Sequence, residues 1–216
     1  MSFEQYFSTA YREVAKNYFP LLIANFVFIL LYILSFALLV GLVIWPAITV
    51  ASVHYILNYA RKGNADIGSS LSQAFKKGAW LRIWPFAIVY VLAICFGLIV
   101  LIIPGIYLAY RYAYSAYFII DQDSEPFVGM SESAKLLHGI GFWKIFGVLI
   151  LTQIFMEILL VIPVIGWIGV ILISPFVWYI TALPYINWTN NSKSNSDRKN
   201  IKSSLTDRAR SGQATN

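Results

Sequence analysis

Three long apolar stretches constrain this chain more than any other feature of its sequence. No Asp, Glu, Lys or Arg occurs between Lys16 and Arg61, and the stretches 83–120 and 145–188 hold one charged residue each. Each stretch is about twice the roughly 20 residues that an α-helix needs to cross a bilayer. With 59% hydrophobic and 12% charged residues among 216, the chain is predicted to be an all-α integral membrane protein. A disordered chain, a nucleic-acid-binding module and an ordinary soluble enzyme are excluded.

Proline and glycine divide each stretch in two, because both residue types favour turns over a continuing straight helix. The turns are expected at Gly41–Pro46, Pro104–Gly105 and Pro163–Gly166. We therefore predict six transmembrane helices in three helical hairpins, over residues 20–42, 46–60, 81–103, 105–120, 143–162 and 166–188, in a membrane domain of residues 1–188. Residues 189–216 are rich in Ser, Asn, Lys and Arg, and they are predicted to form a disordered basic cytoplasmic tail.

The positions of the basic residues predict the topology. Fifteen of the 16 Lys and Arg residues lie before the first stretch, between the stretches or in the tail, and the three predicted turns contain none. Membrane proteins keep Lys and Arg in their cytoplasmic segments. Both termini are therefore expected in the cytoplasm, which agrees with an even number of spans.

A similar short segment precedes each predicted hairpin, at residues 8–19, 72–80 and 131–143. Each pattern is typical of an amphipathic helix that lies at the membrane surface and ends near an aromatic residue. Tyr18, Trp80 and Trp143 suit the level of the lipid headgroups. The chain is thus predicted to repeat one unit three times, with a chance resemblance between the segments as the alternative.

Part of the chain resembles a known family. Ile103–Tyr107, Arg111–Tyr112, Asp121, Ser131–Gly139 and Trp143 follow a pattern similar to the bacterial membrane-domain family found fused to glycerophosphoryl diester phosphodiesterases. The resemblance implies a multi-pass protein of the bacterial cytoplasmic (inner) membrane. Nothing in the sequence resembles the phosphodiesterase barrel, so the resemblance implies no enzymatic activity.

Two charged residues and a histidine inside the apolar stretches are the candidate site. Arg111, Glu157 and His54 are predicted to lie at similar depths, about 9–12 Å from the turns at 1.5 Å per residue. Charged groups within a membrane are costly unless paired, and they often mark functional sites. We predict an ion pair between Arg111 and Glu157 in the bundle interior. A clamp between helices is the favoured role, and a transport or ligand site is the alternative; His54 is expected to be a hydrogen-bonded interior residue.

Tyrosines recur along the stretch that holds Arg111. Tyr107 and Tyr114 lie on the same side of the predicted helix as Arg111, with Tyr110 and Tyr117 in the same series. Core packing is the favoured interpretation. The alternative is a ligand cavity in which Arg111 makes cation–π contacts.

The remaining polar residues predict no chemistry of their own. Asp121, Asp123 and Glu125 form an acidic loop that is expected to be solvated, with a divalent cation site as the alternative. The sequence contains no nucleotide-binding loop, zinc-ligand spacing or catalytic triad pattern, so we expect no catalytic residues, metal or cofactor. The predicted function is non-enzymatic membrane organisation or partner binding, with membrane lipids and membrane proteins as partners and no nucleic acid. The alternative is a small-molecule or ion transporter with a polar site around Arg111 and Glu157.

Overall fold

The computed structural model describes residues 3–37, 41–100, 102–161 and 165–213, and this part of the chain is helical without any strand. Within these residues ten α-helices follow one another, with a short 3₁₀ turn, Lys76–Gly78, between the fourth and the fifth. They are α1 (Phe3–Lys16), α2 (Tyr18–Ala37), α3 (Gly41–Lys62), α4 (Ile67–Phe75), α5 (Ala79–Val100), α6 (Ile102–Arg111), α7 (Ser115–Asp121), α8 (Pro126–Ile140), α9 (Phe142–Leu160) and α10 (Ile165–Gln213). The predicted all-α class is confirmed for these residues.

Three of the described helices are long and apolar enough to cross a membrane, which indicates membrane association. The qualifying segments are Ala79–Ile99 in α5, Phe142–Leu159 in α9 and Ile168–Ser196 in α10. A fourth crossing results if the bent pair Glu4–Lys16 and Tyr18–Leu34, which meet at 96°, is taken as one span. The six predicted spans are therefore not supported.

Two of the predicted spans, 46–60 and 105–120, correspond to helices that are not among the candidate spans. Ser52, His54 and Asn58 lie in the body of α3, and Arg61 and Lys62 lie at its end. The predicted span 105–120 is divided between α6 and α7 by a turn. The ten residues of α6 extend only about 15 Å, half of the roughly 30 Å of a bilayer core.

Two of the predicted turns contain prolines that lie inside described helices. Pro46 lies within α3, which already begins at Gly41, and Pro104 lies in the first turn of α6, where proline is tolerated. Pro163 is outside the described residues. Pro175 and Pro184 lie inside α10 without ending it.

Helix α10 extends past residue 188, where the predicted tail begins. It reaches Gln213, while 214–216 lie outside the described residues. The hydroxyls of Thr189 and Ser192 donate to carbonyl oxygens of the preceding turn, at Tyr185 (3.1 Å) and Trp188 (2.9 Å). These local bonds accompany the continuation of the helix beyond the apolar part.

The helices after each amphipathic segment pack in pairs. α2 packs on α3, α5 on α6 and α9 on α10, and α1, α4 and α8 directly precede these pairs. Helices α5 and α6 approach closely at Gly97 and Gly105, where a Cβ atom on Gly97 would lie 2.8 Å from the Cα of Gly105. Small residues at such a crossing allow the two backbones to touch.

One part of the helix bundle is well buried, and the C-terminal parts of the apolar helices α2, α5 and α9 are not. Ala10, Ile56, Phe118 and Ile180 of α1, α3, α7 and α10 are buried in one core. The far parts of α2, α5 and α9 expose large apolar side chains, among them Ile33, Phe96, Ile99 and Ile158. A continuous apolar surface of this kind is unfavourable in water, so lipid or another protein has to cover it.

The amphipathic helices bury one face in this core. Tyr6, Ala10 and Val14 of α1 are buried, at the four-residue spacing that places them on one side of a helix. The ring of Phe7 lies 6.1 Å from that of Phe176 in α10, whereas Tyr11 is 72% exposed. The apolar face expected to enter the headgroup region is therefore partly used for packing within the chain.

Candidate functional site

Arg111 and Glu157 do not form the predicted ion pair. Arg111, at the end of α6, donates from Nη1 to the hydroxyl of Tyr107 (2.7 Å), and its guanidinium carbon lies 5.7 Å from the centroid of the Tyr107 ring. The Oε1 of Glu157 instead accepts from Gln153 one turn away (2.9 Å). Glu157 lies on the exposed side of α9, so the clamp predicted from equal depth is wrong: equal depth does not imply that two helix faces meet.

Of the other predicted site residues, only Tyr107 lies beside Arg111, as the spacing predicts. Tyr114 is buried in the core, where its ring packs against Tyr117 with centroids 5.9 Å apart, and its hydroxyl has no hydrogen-bond partner. His54 is half-buried in α3 and does not line the cavity that contains Arg111.

This cavity, the α6–α8 cavity, has a volume of about 820 Å³. Its principal side chains come from four helices: Tyr107 and Arg111 of α6, Lys135 and His138 of α8, Phe142 of α9 and Trp188 of α10. None of its lining residues is an Asp or Glu. The cavity thus combines cationic hydrogen-bond donors with aromatic walls, a combination suited to an anion attached to a larger body.

Ser133 of α8 determines where Arg111 lies. Its buried hydroxyl donates to the carbonyl oxygen of Arg111 (2.9 Å) and accepts from the N–H of Tyr114 (3.2 Å). The side chain therefore satisfies two backbone groups at the turn between α6 and α7 that a continuous helix would pair internally. Because α6 ends there, Arg111 is placed beside α8.

A second polar cluster was not anticipated from the sequence. Both Nη atoms of Arg61, at the end of α3, donate to the two carboxylate oxygens of Asp121 in α7, each at 2.6 Å. The Tyr185 hydroxyl of α10 also donates to Asp121 (2.6 Å). Burial alone would raise the pKa of the Asp121 carboxyl, but these hydrogen bonds and the charge of Arg61 outweigh burial, and the pKa lies below its ordinary value.

The next acidic residue makes a weaker link to another helix. Arg82 of α5 donates to the carboxylate of Asp123 (2.7 Å) and to its carbonyl oxygen (3.1 Å), and the Asp123 side chain is 63% exposed. Asp121 and Asp123 are therefore ion-paired rather than free in solvent. Within the described residues, no group of three or more His, Cys, Asp or Glu residues could hold a metal ion.

One sequence signal could have suggested these pairs. Segment 61–82 is basic and the loop 121–125 is acidic, and both were predicted on the cytoplasmic side. Opposite charges on the same side of a bundle are candidates for pairing. Charge position alone does not identify the partners, and Tyr185 lies in the last apolar stretch, far along the chain from both segments.

Comparison with known proteins assigns no family to this arrangement. The chain matches no family model, no curated protein and no solved structure.

Proposed function

We propose that this chain is a non-enzymatic integral protein of the bacterial cytoplasmic membrane that organises the lipids and membrane proteins around it. The supporting observation is the unused apolar surface of its long helices. Only 22% of the most apolar window of α5 and 17% of that of α9 is buried inside the chain. The remaining surface of these two helices is available to lipid or to other membrane proteins. Helices pack together in a membrane without any catalytic group.

The basic segments of the chain lie close together, which supports a cytoplasmic position for the end of the molecule that contains Asn17, Arg61 and Arg82. The side-chain amide of Asn17 donates to the carbonyl oxygen of Gly63 (3.2 Å). This bond brings the basic residues before α2 next to those at the end of α3. Arg61 pairs with Asp121, the last residue of α7, and Arg82 pairs with Asp123 in the loop that follows. Such a basic end faces the cytoplasm by the positive-inside rule, and we propose the same side for both termini.

Thiol labelling tests this orientation. In a Cys95→Ser background, Ser8→Cys places one cysteine on an exposed position of α1. An impermeant thiol reagent is expected to label it only after cells are permeabilised. Labelling in intact cells would overturn the proposed orientation.

Exposed aromatic residues support a position of the three amphipathic helices at the headgroup level. Tyr11 of α1, Phe75 of α4 and Phe127 of α8 are 72%, 62% and 67% exposed. Aromatic side chains are favoured where hydrocarbon meets headgroups. With one such residue on each of three helices, the chain is suited to hold the lipids that surround its cytoplasmic end.

Reconstitution into lipid vesicles tests the proposed function. The wild-type chain is expected to slow the lateral diffusion of labelled lipids, and the triple variant Tyr11→Ala, Phe75→Ala, Phe127→Ala is expected to lose much of this effect. Phe96→Ala is the matched control, because Phe96 is equally exposed (70%) but lies in the apolar part of α5. Unchanged lipid diffusion with wild-type protein would overturn the proposal.

A transporter is the second candidate, and the α6–α8 cavity beside Arg111 is the observation that favours it. A transporter needs a polar cavity that solutes can enter. Release of small anions from the same vesicles, lost in Arg111→Gln, would establish transport in place of the organising role. The proposed relation to the phosphodiesterase-linked membrane family rests on the motif around Ile103–Tyr107, and it supports either membrane role without supplying a substrate.

A further inference from the structure

We propose that the α6–α8 cavity binds the phosphate group of an anionic phospholipid headgroup. The inference rests on the proposed function and names the class of lipid that the protein would hold. A free phosphate ester shares the same chemistry, and the experiment below separates the two sources.

The charges of the cavity favour an anion. Arg111, Lys135 and His138 contribute nitrogen donors or bases to the lining, and no carboxylate lines it. Lys135 pairs with Glu132 one turn away on α8 (2.5 Å), but its side chain is 62% exposed, so it is free to turn toward a ligand. Arginine and lysine bind phosphate through short, charge-assisted hydrogen bonds.

Arg111 has hydrogen-bonding capacity that the described residues do not use. Its Nη1 donates to a neutral group, the Tyr107 hydroxyl, and its Nε is buried without a hydrogen-bond partner. None of the ion pairs among the described residues includes Arg111. A buried donor of a cation without an acceptor is unfavourable, and a guanidinium with so few partners has donors left for a phosphate oxygen in the cavity.

The junction of α8 and α9 adds backbone donors at the same place. Gly141 and Phe142 line the cavity, and Gly141 precedes α9 with φ of 101°, a conformation that glycine adopts without strain. The first N–H groups of a helix have no partner within it, and Gly141 has no side chain to cap them. The start of the 19-residue helix α9 therefore favours a negative charge here.

The surroundings favour a lipid over a free phosphate ester. The wall of the cavity is aromatic at Tyr107, Phe142 and Trp188, and Trp143, the next residue of α9, is 78% exposed. The same helix α9 continues into an apolar span. A headgroup in the cavity would thus stay attached to acyl chains lying along α9, and the volume of about 820 Å³ is in the range of sites for ligands larger than phosphate.

Lipid binding by the full chain in vesicles or nanodiscs tests the inference. The probes are phosphatidylglycerol, phosphatidylcholine and glycerol phosphate. We expect phosphatidylglycerol to bind more tightly than phosphatidylcholine, with the preference reduced about tenfold in Arg111→Gln and Lys135→Gln through loss of charge-assisted hydrogen bonds. Arg111→Lys is expected to retain part of the preference, because it keeps the charge.

Two further variants distinguish lipid binding in the cavity from a general attraction of anionic lipid to basic surface residues. Lys16→Gln is the matched control for Lys135→Gln, because Lys16 pairs with Glu13 on α1 in the same i,i+3 arrangement (2.7 Å) and lies outside the cavity. It is expected to leave the preference unchanged. Ala134→Trp fills the cavity from its half-buried wall without removing charge, and is expected to abolish the preference.

The possible results are distinct. An equal loss in Lys16→Gln and Lys135→Gln, or an unchanged preference in Ala134→Trp, would overturn the site. Binding of glycerol phosphate that displaces the lipid probe completely would assign the cavity to a free ester and overturn the lipid assignment. If the protein slows lipid diffusion without a preference for phosphatidylglycerol, this inference fails while the proposed function stands.

Discussion

The carboxylate of Asp121 accepts two parallel hydrogen bonds from the guanidinium of Arg61, each 2.6 Å long. The pair joins α3 to α7 across 60 residues of sequence, and the hydroxyl of Tyr185 extends the link to α10. The Asp121 and Arg61 side chains are 15% and 31% exposed. At this depth a bidentate pair orients helices more effectively than a pair of fully solvated charges.

Asp121→Asn is expected to lower the free energy of unfolding by about 1–3 kcal/mol, because it leaves a partly buried Arg61 without its counter-charge. Thermal unfolding of the detergent-solubilised protein measures the effect. Asp123→Asn is the matched control, with an expected change below about 0.5 kcal/mol, since Asp123 is largely exposed. Equal losses in the two variants would contradict a special role for the Asp121 pair.

The pH dependence of stability follows from the lowered pKa of Asp121. A carboxyl with a lowered pKa in the folded chain stabilises the fold fully above its unfolded pKa of about 4. The contribution is lost as the pH falls through the lower folded value. The difference in unfolding temperature between wild type and Asp121→Asn should therefore stay constant from neutral pH to about pH 4 and shrink below it. A difference that shrinks between pH 7 and pH 5 would argue against this residue.

Ser133→Ala is expected to destabilise the chain by about 1–3 kcal/mol, because a carbonyl oxygen at Arg111 and an N–H at Tyr114 lose their buried partner. The unfolding temperature of the purified protein checks it. Ser131→Ala, two residues away on an exposed position of α8, should change stability by less than about 0.5 kcal/mol. A tolerated Ser133→Ala would mean that the turn after α6 is held by other contacts.

Gly97→Ala is expected to cost about 1–3 kcal/mol, since its Cβ atom would lie 2.8 Å from the Cα of Gly105 and force α5 and α6 apart. Gly169→Ala in α10 is the control: its Cβ would meet only Leu159 Cδ2 at 3.7 Å, and alanine is the better helix former. Stability in detergent and in lipid should show the same order. The close approach is disproved if Gly97→Ala is as stable as Gly169→Ala.

A double-mutant cycle tests the absence of an Arg111–Glu157 pair. Arg111→Gln and Glu157→Gln should have additive effects on the free energy of unfolding within about 0.5 kcal/mol, as separate sites do. The cycle of Arg61→Gln with Asp121→Asn should instead give a coupling of about 0.5–3 kcal/mol. Strong coupling between Arg111 and Glu157 would restore the ion pair predicted from the sequence.

Sequence patterns predicted those features of the fold that depend on neighbouring residues. The helical class follows from long apolar stretches. Helices α1, α4 and α8 overlap the predicted segments 8–19, 72–80 and 131–143, but they begin about five residues earlier, at Phe3, Ile67 and Pro126. Six spans are not supported, because the described residues hold three candidate spans, or four if the bent pair of α1 and α2 counts as one. The ten residues of α6 are too few to cross a membrane alone.

The candidate site was only partly predictable, because some of its contacts are local in the sequence and others are not. The proximity of Tyr107 and Arg111 is a four-residue relation within one helix and follows from helical spacing. The partner of Arg111 depends on how α8 and α9 pack against α6. Equal depth in the sequence was therefore not enough to pair it with Glu157, whose side chain is exposed and accepts a hydrogen bond from Gln153.

The sequence by itself determined that this chain is helical, largely apolar and basic on one predicted side, because hydropathy and charge are properties of each segment alone. Only the tertiary structure decided where α6 ends, which carboxylate Arg61 holds and which residues surround Arg111. Ser133 acts on Arg111 across 22 residues, and Tyr185 acts on Asp121 across 64. Such contacts form when separate helices pack together, and no local pattern encodes which helix faces meet.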